Sequence, residues 1–237
     1  MFPLNRSLSI IVPAYNEESR LPETLRKITH YLGRTDWQFH EVLVVDDGST
    51  DATARAAEGF EGVRVLHNPG NRGKGYSVRH GMREARGEWR LFSDADLSTP
   101  IEELDKLWNT GAPVAIGSRA LDRSLIGTHQ PGIRESAGKV FNAVMRLATG
   151  LNIADTQCGF KLFRADVAKA VFPRQLLERF GFDAEVLFIA DRLGYRIAEV
   201  PVIWNHVDGS KVGMFTGLRA FAELAEIRMN NMRGRYK

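Results

Sequence analysis

The sequence predicts an α/β fold, in which a mostly parallel sheet is flanked by helices and followed by a more irregular C-terminal half. Strand-like and helix-like patterns alternate from Ser9 to Arg119, as they do in chains that build parallel sheets. The strand-like segments, such as Val42–Val45, are apolar on both faces, which is typical of strands buried on two sides. Beyond Arg119 the alternation stops. We therefore predict a single domain over residues 1–237, with halves of about 7–119 and 120–237.

The first half contains five predicted strands connected by helices. Apolar residues at helical spacing from Leu21 to Leu32, before Gly33, indicate the first helix. Thr99-Pro100-Ile101-Glu102 has the form of a capping box with proline at the first helical position. The elements predicted here are strand Ser9–Pro13, a helix from about Ser19 or Pro22, strand Val42–Val45, a helix over about Ala52–Ala57, strand Val63–Leu66, a helix over about Tyr76–Arg86 closed by Gly87, strand Trp89–Ser93, the capped helix and strand Val114–Gly117.

The second half is predicted to be less regular. Pro201 lies inside the strand-like stretch Arg196–Trp204 and suggests an edge strand, because proline cannot donate to a hydrogen-bond ladder. The other elements predicted here are a loop over Leu121–Pro131, a helix over Arg134–Ala148, an irregular or short-strand stretch over Asp155–Phe163, a helix over Asp183–Leu193 and a last helix over about Gly217–Met232, with Leu218, Phe221, Ala222, Ala225 and Met229 on its apolar face.

Composition and charge narrow the possible functions. Hydrophobic residues make up 43% and charged residues 26% of the 237 residues, as in ordinary globular proteins. The one cysteine, Cys158, excludes an internal disulfide and is expected to be a buried thiol rather than a nucleophile. No apolar run approaches the roughly 20 residues of a membrane span, and no signal-peptide pattern is present, so we expect a cytoplasmic location. The segment Lys211–Lys237 has six basic and two acidic residues, and this basic tail could face anionic lipid, nucleic acid or water.

The most informative stretch is Asp94-Ala95-Asp96, where two carboxylates directly follow the predicted strand Trp89–Ser93. Open α/β sheets bind ligands at the carboxyl ends of their strands. Carboxylate oxygens are hard ligands that suit Mg²⁺ or Mn²⁺ shared with a diphosphate. We therefore predict a metal site at these two aspartates. Two solvated aspartates in an ordinary turn are the simpler alternative.

Two common phosphate-binding motifs are excluded by spacing. A Walker loop requires Gly-x-x-x-x-Gly-Lys-Ser/Thr, but Gly73-Lys74 has Asn68 at the position of the first glycine and Gly75 at that of the hydroxyl. A dinucleotide fingerprint requires glycines after the first strand, where Pro13–Glu17 stands. A nucleotide site in this fold would therefore be built from carboxylates and a metal.

A set of short motifs is spread along the chain: Pro13–Glu17, Asp46–Ser49, Asn71–Gly75, Asp94–Asp96, Gly117–Arg119, Arg134–Ser136, Gln157–Lys161 and Phe182–Glu185. Together they resemble the inverting glycosyltransferases of family 2, and the resemblance runs from about Ser7 to Lys211. The later motifs are similar to those of the branch that makes polyprenyl-phosphate sugars, the dolichyl-phosphate glucose and mannose synthases. The resemblance implies a GT-A-type, Rossmann-like fold, with a nucleotide-sugar-binding first half and an acceptor-side, membrane-facing second half.

The resemblance also implies roles for individual residues, with Mg²⁺ or Mn²⁺ as the metal. The nucleotide sugar would be bound by Pro13, Tyr15, Glu17, Asp46, Asp47, Lys74, Asp94, Ala95, Gln157, Lys161 and Lys211. The metal would be bound by Asp94, Asp96 and Ser98, the last at a position where some relatives have glutamine. The catalytic residues would be Asp96, Arg119, Arg134 and Asp183, with the two arginines clamping the acceptor phosphate.

The expected reaction is single-step, inverting transfer of a hexose from a nucleoside-diphosphate sugar to polyprenyl phosphate. UDP-glucose is the favoured donor and GDP-mannose the next. A phosphate oxyanion is already a nucleophile at neutral pH, so this acceptor needs alignment and neutralisation rather than a strong base. A glycan or other hydroxyl acceptor would need a general base, for which Asp183 or Glu185 are candidates. A non-catalytic sugar-nucleotide-binding module is a further alternative.

A long isoprenoid acceptor implies contact with a bilayer surface. The predicted helices Arg134–Ala148 and Gly217–Met232 are amphipathic with flanking basic residues, as interfacial helices are, although ordinary packing on a core explains them equally well. We predict peripheral attachment at the cytoplasmic face of an anionic membrane. Nucleic acid is not expected as a partner, because Tyr236 is the one aromatic residue interleaved with the basic residues near the C-terminus.

Overall fold

The computed structural model contains a seven-stranded sheet with helices on both faces. It describes residues 6–128, 144–146, 149–207 and 214–237, the last segment with side chains from residue 222 onward. The strands are β1 (Ser7–Ala14), β2 (Phe39–Asp46), β3 (Val63–His67), β4 (Trp89–Ser93), β5 (Val114–Ser118), β6 (Ile126–Thr128), β7 (Phe160–Arg164), β8 (Ile197–Pro201) and β9 (Trp204–Asn205). The helices are α1 (Leu21–Leu32), α2 (Thr53–Glu58), α3 (Lys74–Glu84), α4 (Leu104–Asn109), α5 (Ala165–Val171), α6 (Phe182–Arg192) and α7 (Met214–Met232).

The order of strands in the sheet is β3-β2-β1-β4-β7-β5-β8, and β6 and β9 pair separately. Every strand of the large sheet is parallel to the others except β7, which is antiparallel to both of its neighbours. The mostly parallel sheet is therefore confirmed, and β8 lies at its edge, as its proline predicted. The chain changes direction across the sheet between β1 and β4, and doubly wound sheets bind ligands at the carboxyl ends of strands at such a point.

Two apolar cores, one on each face of the sheet, hold these layers together. Along β1, Ile11 packs into the core under α3, whereas Ile10 and Val12 pack into the core under α1. Successive side chains of a strand point to opposite faces, so a strand that feeds both cores must be apolar throughout. Helices α3, α5, α6 and α7 cover the first core, and α1, α2 and α4 cover the second.

Helix α1 forms as the periodicity predicts. Its apolar residues Leu21, Leu25, Ile28 and Leu32 are buried, and the helix ends before Gly33, whose N–H caps the carbonyl of Thr29. A 3.6-residue period places these side chains on one face, so burial of that face against the sheet stabilises the helix.

The predicted limits of α3 were wrong. The helix begins at Lys74 rather than Tyr76, and it ends at Glu84, with Ala85 in an extended conformation, so Gly87 does not close it. Gly87 instead lies so close to β1 that an added Cβ would be 2.6 Å from the backbone nitrogen of Ser9. The earlier start places Lys74 in the first turn of α3, at the carboxyl end of the sheet.

The predicted capping box also does not form. Pro100 precedes a 3₁₀ turn over Ile101–Glu103 that has no side-chain cap, and α4 begins only at Leu104. The hydroxyl of Thr99 lies 3.8 Å from the sulfur of Cys158 instead of bonding to a helix N–H. Tertiary packing has therefore redirected the side chain that the local motif assigned to the cap.

Strand β7 occupies the middle of the sheet, in a stretch for which the sequence indicated only an irregular or short-strand segment. It pairs with β4 and with β5, and Phe92 of β4 lies opposite Lys161 of β7. The charged residue Lys161 lies near the start of this strand, which made the strand harder to recognise from its sequence. Lys161 is nonetheless fully buried, because its ammonium group donates to Asp183 of α6.

Helix α7 is present, and its apolar face, for which the sequence left interfacial contact and core packing both open, does not pack on the core where its side chains are described. Ala222, Ala225 and Met229 are exposed, and Met229 is 47% exposed. The side chains of Leu218 and Phe221 lie outside the described part, as does most of the predicted helix Arg134–Ala148. Among the described side chains of α7, the buried ones are Glu223, Leu224, Ile227 and Asn230. No helix in the described part of the chain is both long enough and apolar enough to cross a bilayer.

Candidate functional site

The candidate site lies at the carboxyl edge of the sheet, where the structure brings together side chains from several strand ends. Asp46 ends β2, and its neighbour in register is Ala14 at the end of β1. Asp94 directly follows β4, and Arg119 directly follows β5. Because these strands are parallel, their carboxyl ends meet at one edge, as the sequence analysis expected.

The carboxylate of Asp94 is held between Lys74 and Gly159. The ammonium nitrogen of Lys74 lies 2.7 Å from Asp94 Oδ1 and 5.0 Å from the centre of the Phe92 ring. A Cβ at Gly159 would stand 1.9 Å from Asp94 Oδ2, so this position must be glycine for the carboxylate to lie here. Burial acts to lower the pKa of Lys74, but the carboxylates of Asp94 and Asp183 outweigh it and the pKa is raised. Lys74 therefore stays charged and acts as the counterion of Asp94.

Asp96 lies in a tight turn immediately after Asp94. Its Oδ1 accepts the backbone N–H of Ser98 at 2.9 Å, and Leu97 between them has a φ of 46°. Burial raises the pKa of Asp96, and the neighbouring charge of Asp94 raises it further. The two neighbouring carboxylates, Asp94 and Asp96, repel each other in this partly buried turn, and a bound cation would stabilise both of them in the charged form.

The donor set fits a divalent cation in part. Carboxylate oxygens suit Mg²⁺ or Mn²⁺, and Asp94 and Asp96 supply them from one turn. In the part of the chain that the structure describes, no cluster of three or more His, Cys, Asp or Glu residues could hold a metal. An ion here would therefore take its remaining ligands from water or from a diphosphate, as Mg²⁺ commonly does. Ser98, the third predicted metal ligand, follows this turn and is only 7% exposed, and its role as a ligand stays a prediction.

The residues expected to bind the base and ribose are partly engaged within the protein. Asp46 Oδ1 accepts the N–H of Ser49 at 3.1 Å, and its Oδ2 lies 3.5 Å from His67 Nδ1. The carboxylate of Glu17 accepts Nε and Nη2 of Arg20 at 2.7 and 2.8 Å. Both carboxylates are buried, which leaves them oriented before any ligand binds.

Pro13, Tyr15 and Ala95 lie around the same edge. Pro13 is the penultimate residue of β1 and is half-buried, and Tyr15, in the turn that follows, is 36% exposed. The carbonyl of Ala95 accepts the Thr24 hydroxyl at 2.6 Å, which ties the Asp94–Asp96 turn to α1. Tyr15 thus combines an aromatic ring with solvent access, a suitable arrangement for stacking on a nucleobase.

Asp47 holds the loop that precedes α3. Its carboxylate accepts the backbone N–H groups of Arg72 and Gly73 at 3.0 and 2.7 Å, and the side-chain amide of Asn68 at 2.8 Å. This buried carboxylate has its oxygens directed at the loop rather than at the open edge. This placement favours a role of Asp47 in fixing the loop before Lys74 over direct contact with a nucleotide sugar.

Arg119 forms a bidentate ion pair with Asp155, a partner that the sequence motifs did not identify. Nε and Nη2 of Arg119 lie 2.6 and 2.8 Å from the two carboxylate oxygens, and the guanidinium stacks 5.5 Å from the Trp204 ring centre. Burial acts to raise the pKa of Asp155, but the charge of Arg119 outweighs it and the pKa is lowered. The proximity of Asp155 to the motif Gln157–Lys161 was the one available signal, and no local signal marked Trp204.

Lys161 and Asp183 form a buried pair beneath the Asp94 turn. Lys161 donates to Asp183 and, at 2.6 Å, to the carbonyl of Cys158, and it lies 5.5 Å from the centre of the Phe92 ring. Asp183 is 2% exposed, and burial raises its pKa. The pair supports the floor of the site, and it leaves Asp183 poorly placed as a general base for a hydroxyl acceptor.

Gln157 and Cys158 follow Asp155 on the same irregular stretch. The buried Nε2 of Gln157 has no hydrogen-bond partner among the described residues, whereas its backbone N–H bonds to Asp155. A buried amide without a partner is a natural donor for a bound ligand. Burial raises the pKa of the Cys158 thiol to about 11, so the thiol is protonated at neutral pH, as expected for a structural cysteine.

Arg134 and Lys211 lie outside the described residues, so their expected roles at the acceptor phosphate and the nucleotide sugar stay predictions. Glu185, the other candidate base, is fully buried and accepts hydrogen bonds from two backbone N–H groups and a tyrosine. The site described here therefore contains cations and oriented carboxylates, but neither candidate base is exposed.

Comparison with known proteins shows similarity along most of the chain. A model of the family described as "Glycosyl transferase family 2" matches residues 9–172. Dolichyl-phosphate beta-glucosyltransferase of Drosophila melanogaster is 42% identical over 229 residues, which cover 88% of this chain and 70% of that protein. The Mus musculus protein of the same name is 37% identical over 253 residues, covering 98% and 78% respectively.

The fold is also similar to that of solved structures. Glucosyl-3-phosphoglycerate synthase from Mycobacterium tuberculosis, crystallised with Mn²⁺, UDP-glucose and phosphoglyceric acid, superposes with a TM-score of 0.67 at 20% identity. The superposition covers 94% of this chain and 80% of the other. The predicted GT-A-type fold is confirmed by this likeness.

Proposed function

The chain belongs to glycosyl transferase family 2, and we propose that it transfers glucose from UDP-glucose to dolichyl phosphate or a related polyprenyl phosphate. The observation that carries the proposal is the cluster of Asp94, Asp96 and Lys74 at the carboxyl edge of the sheet. The names of the relatives support glucose as the sugar and dolichyl phosphate as the acceptor. The Mn²⁺ and UDP-glucose of the solved neighbour support the donor and the use of a metal.

On the donor side, Asp94 and Asp96 would hold Mg²⁺ or Mn²⁺, and a bound ion would neutralise charge on the departing diphosphate. Lys74 adds a second positive charge at the same place. Asp46, Glu17 and Tyr15 would hold the base and ribose through hydrogen bonds and stacking.

On the acceptor side, Arg119 would bind the lipid phosphate. Asp155 engages Nε and Nη2 and so fixes the plane of the guanidinium, while Nη1 is not used in that pair. Stacking on Trp204 holds the same plane from a second side. A preoriented guanidinium loses less side-chain freedom when a phosphate binds. Arg134 and Lys211 would add further positive charge.

The burial of both candidate bases favours a phosphate acceptor over a hydroxyl acceptor. Asp183 is paired with Lys161, and Glu185 is surrounded by three donors. A phosphate oxyanion can attack the anomeric carbon without losing a proton first, so the burial of Asp183 and Glu185 does not obstruct this reaction. Inversion follows from a single displacement.

We further infer peripheral contact with the cytoplasmic face of an anionic membrane. The outer face of α7, defined here as Ala222, Ala225, Met229 and Met232, is exposed, and Met232 is 79% exposed. Arg233, Arg235 and Lys237 follow it and are exposed as well. Apolar side chains beside cations match the interface of an anionic bilayer.

The test is a donor screen with Mn²⁺ and a short polyprenyl phosphate, in which product mass is measured. We expect a hexosyl-phosphate lipid from UDP-glucose, less or none from GDP-mannose, and none after chelation of the metal. The matched control is the same polyprenol without phosphate, which should not react. Transfer to a soluble sugar in the absence of lipid phosphate would instead support the hydroxyl-acceptor alternative.

A further inference from the structure

Residues 175–181, named here the bracket, lie directly against the first turn of α3. The side chain of Gln175 donates to the carbonyl of Gly75 at 2.8 Å, and the N–H of Tyr76 donates to the carbonyl of Glu178 at 3.1 Å. A Cβ at Gly73 would stand 2.5 Å from the Glu178 carbonyl oxygen. The bracket therefore contacts the backbone of residues on both sides of Lys74.

Ion pairs reinforce this contact at the surface. The carboxylate of Glu178 lies 3.0 Å from Nη2 of Arg72, before Lys74, and 3.0 Å from Nη2 of Arg79, one turn after it. Glu178 of the bracket thus forms ion pairs on both sides of Lys74 in the sequence.

The bracket is itself held from behind by Glu185. The carboxylate of this fully buried residue accepts the N–H groups of Leu176 and Leu177 at 3.1 and 2.9 Å. Its Oε1 also accepts the hydroxyl of Tyr236 at 2.7 Å. Three donors satisfy a buried carboxylate, so each of them contributes to keeping it in place.

The other end of the bracket is tied to α7. The N–H of Gly181 donates to Glu223 Oε2 at 2.5 Å, and the Tyr236 ring packs against Phe188 with their centres 6.0 Å apart. Glu223 and Tyr236 belong to the C-terminal helix and the turn after it. Tyr236 thus holds the first part of the bracket through Glu185, and Glu223 holds its last residue directly.

We propose that Tyr236, Glu223 and Glu185 are positioning residues, through which the C-terminal helix sets the orientation of Lys74 at the donor diphosphate. The link runs from Tyr236 and Glu223 to the bracket, and from the bracket to the first turn of α3. The part that concerns the diphosphate rests on the proposed function. Because the outer face of α7 is the inferred membrane contact, a displacement of α7 at a bilayer would reach the donor site by this route.

The test compares Tyr236→Phe with Tyr31→Phe. Tyr31 also donates its hydroxyl to a carboxylate, Asp105, at 2.7 Å, but it lies in the opposite core. Each variant removes one hydroxyl that donates to a carboxylate, but Asp105 is exposed whereas Glu185 is buried, so Tyr236→Phe is expected to lose more stability. Tyr31→Phe therefore controls for the loss of a tyrosine hydroxyl that is not linked to the bracket. Binding of UDP with Mn²⁺ is measured by calorimetry, and hydrogen exchange of residues 72–77 is measured without any ligand.

We expect Tyr236→Phe to weaken UDP affinity about threefold to tenfold, the effect of one lost hydrogen bond, and to speed exchange in residues 72–77. Tyr31→Phe should change neither. In turnover, Tyr236→Phe should raise the KM for UDP-glucose more than it lowers kcat. Glu223→Gln, which weakens the acceptor for Gly181, should act in the same direction.

Equal exchange rates and equal UDP affinity in the two tyrosine variants would overturn the proposal. The exchange measurement needs no donor and no acceptor. If wild-type protein fails to bind UDP, the proposed function fails, whereas faster exchange confined to Tyr236→Phe would still support the positioning role.

Discussion

At the scale of single residues, the acidic side chains of the site differ in what already binds their oxygens. Asp47 is saturated by loop N–H groups, and Asp183 is paired with the buried Lys161. Asp94 instead faces a cation, Lys74, from a position left open by Gly159. Buried carboxylates with protein donors maintain shape, whereas a carboxylate paired with one lysine side chain can exchange that partner for a metal ion.

Gly159→Ala is expected to displace the Asp94 carboxylate, because the new methyl group would lie 1.9 Å from Oδ2. A displacement of about 1 Å at a reacting centre costs on the order of a hundredfold in turnover. We expect a loss of this size in glucosyl transfer, together with weaker binding of UDP with Mn²⁺ in calorimetry. Gly59→Ala is the control, since its Cβ would meet only an ordinary contact at 3.7 Å. Wild-type binding in Gly159→Ala would contradict the geometry.

Cys158 predicts a loss of stability at alkaline pH. Burial raises its pKa from 9.0 to about 11, so the folded chain holds the thiol proton more tightly than the unfolded chain does. This contribution is fully present below pH 9 and is lost as the pH rises towards 11, up to about 3 kcal/mol. Urea unfolding of wild type and Cys158→Ala at pH 8 and 10.5 checks it: their difference in free energy of unfolding should shrink at high pH. Rapid labelling of the native thiol at pH 8 would argue against burial.

At the scale of elements, two helices decide how the site is presented. Helix α3 starts at Lys74, so its first turn delivers the cation to Asp94. Helix α7 buries Leu224 and Ile227 and leaves Met229 and Met232 exposed. Both outcomes depend on contacts with distant segments, since the bracket holds the start of α3 and Gly181 bonds to Glu223.

The outer face of α7 predicts a specific loss of membrane binding. Met229→Ser with Met232→Ser should weaken binding to anionic vesicles about a hundredfold or more, because each buried methionine contributes roughly 1.5 kcal/mol or more. The melting temperature should stay near that of wild type, since both side chains are exposed. The measurement is vesicle cosedimentation at low salt. Phe39→Ser is the control, because Phe39 is 39% exposed and begins β2, at the opposite edge of the sheet from the site. Equal binding by all three proteins would exclude this face as the contact.

At the scale of the whole molecule, the site lies where the order of strands reverses, between β1 and β4. Asp46 ends β2 on one side of β1, and Asp94 follows β4 on the other side. A ligand that contacts both residues binds the folded chain and not the unfolded one, so it stabilises the folded state. The thermal stability of the protein should therefore report donor binding.

UDP with Mn²⁺ should raise the melting temperature. At about 100 times the dissociation constant the gain is about 2.7 kcal/mol, or roughly 5–10 °C for a chain of this size. Differential scanning calorimetry checks the shift, and addition of a chelator should remove it. A shift that persists unchanged with chelator would speak against a metal between the protein and the diphosphate.

Much of the fold and the composition of the site could be predicted from local patterns. Burial on one face imposes the period of α1, and burial on two faces imposes the apolar runs of β1 and β2, so these elements are readable without knowledge of their neighbours. The ends of those strands also identify Asp46 and Asp94, because chemistry at the carboxyl edge follows directly from strand direction.

The sequence by itself thus determined the fold class, the family and the residues at the strand ends. Only the tertiary structure decided which charged residues meet: Lys74 with Asp94, Arg119 with Asp155, and Lys161 of the antiparallel strand β7 with Asp183 of α6. It also decided which face of α7 is buried. The physical reason is that period and polarity are local properties of the chain, whereas ion pairing and burial of a charged residue depend on partners brought together by the order of strands in the sheet.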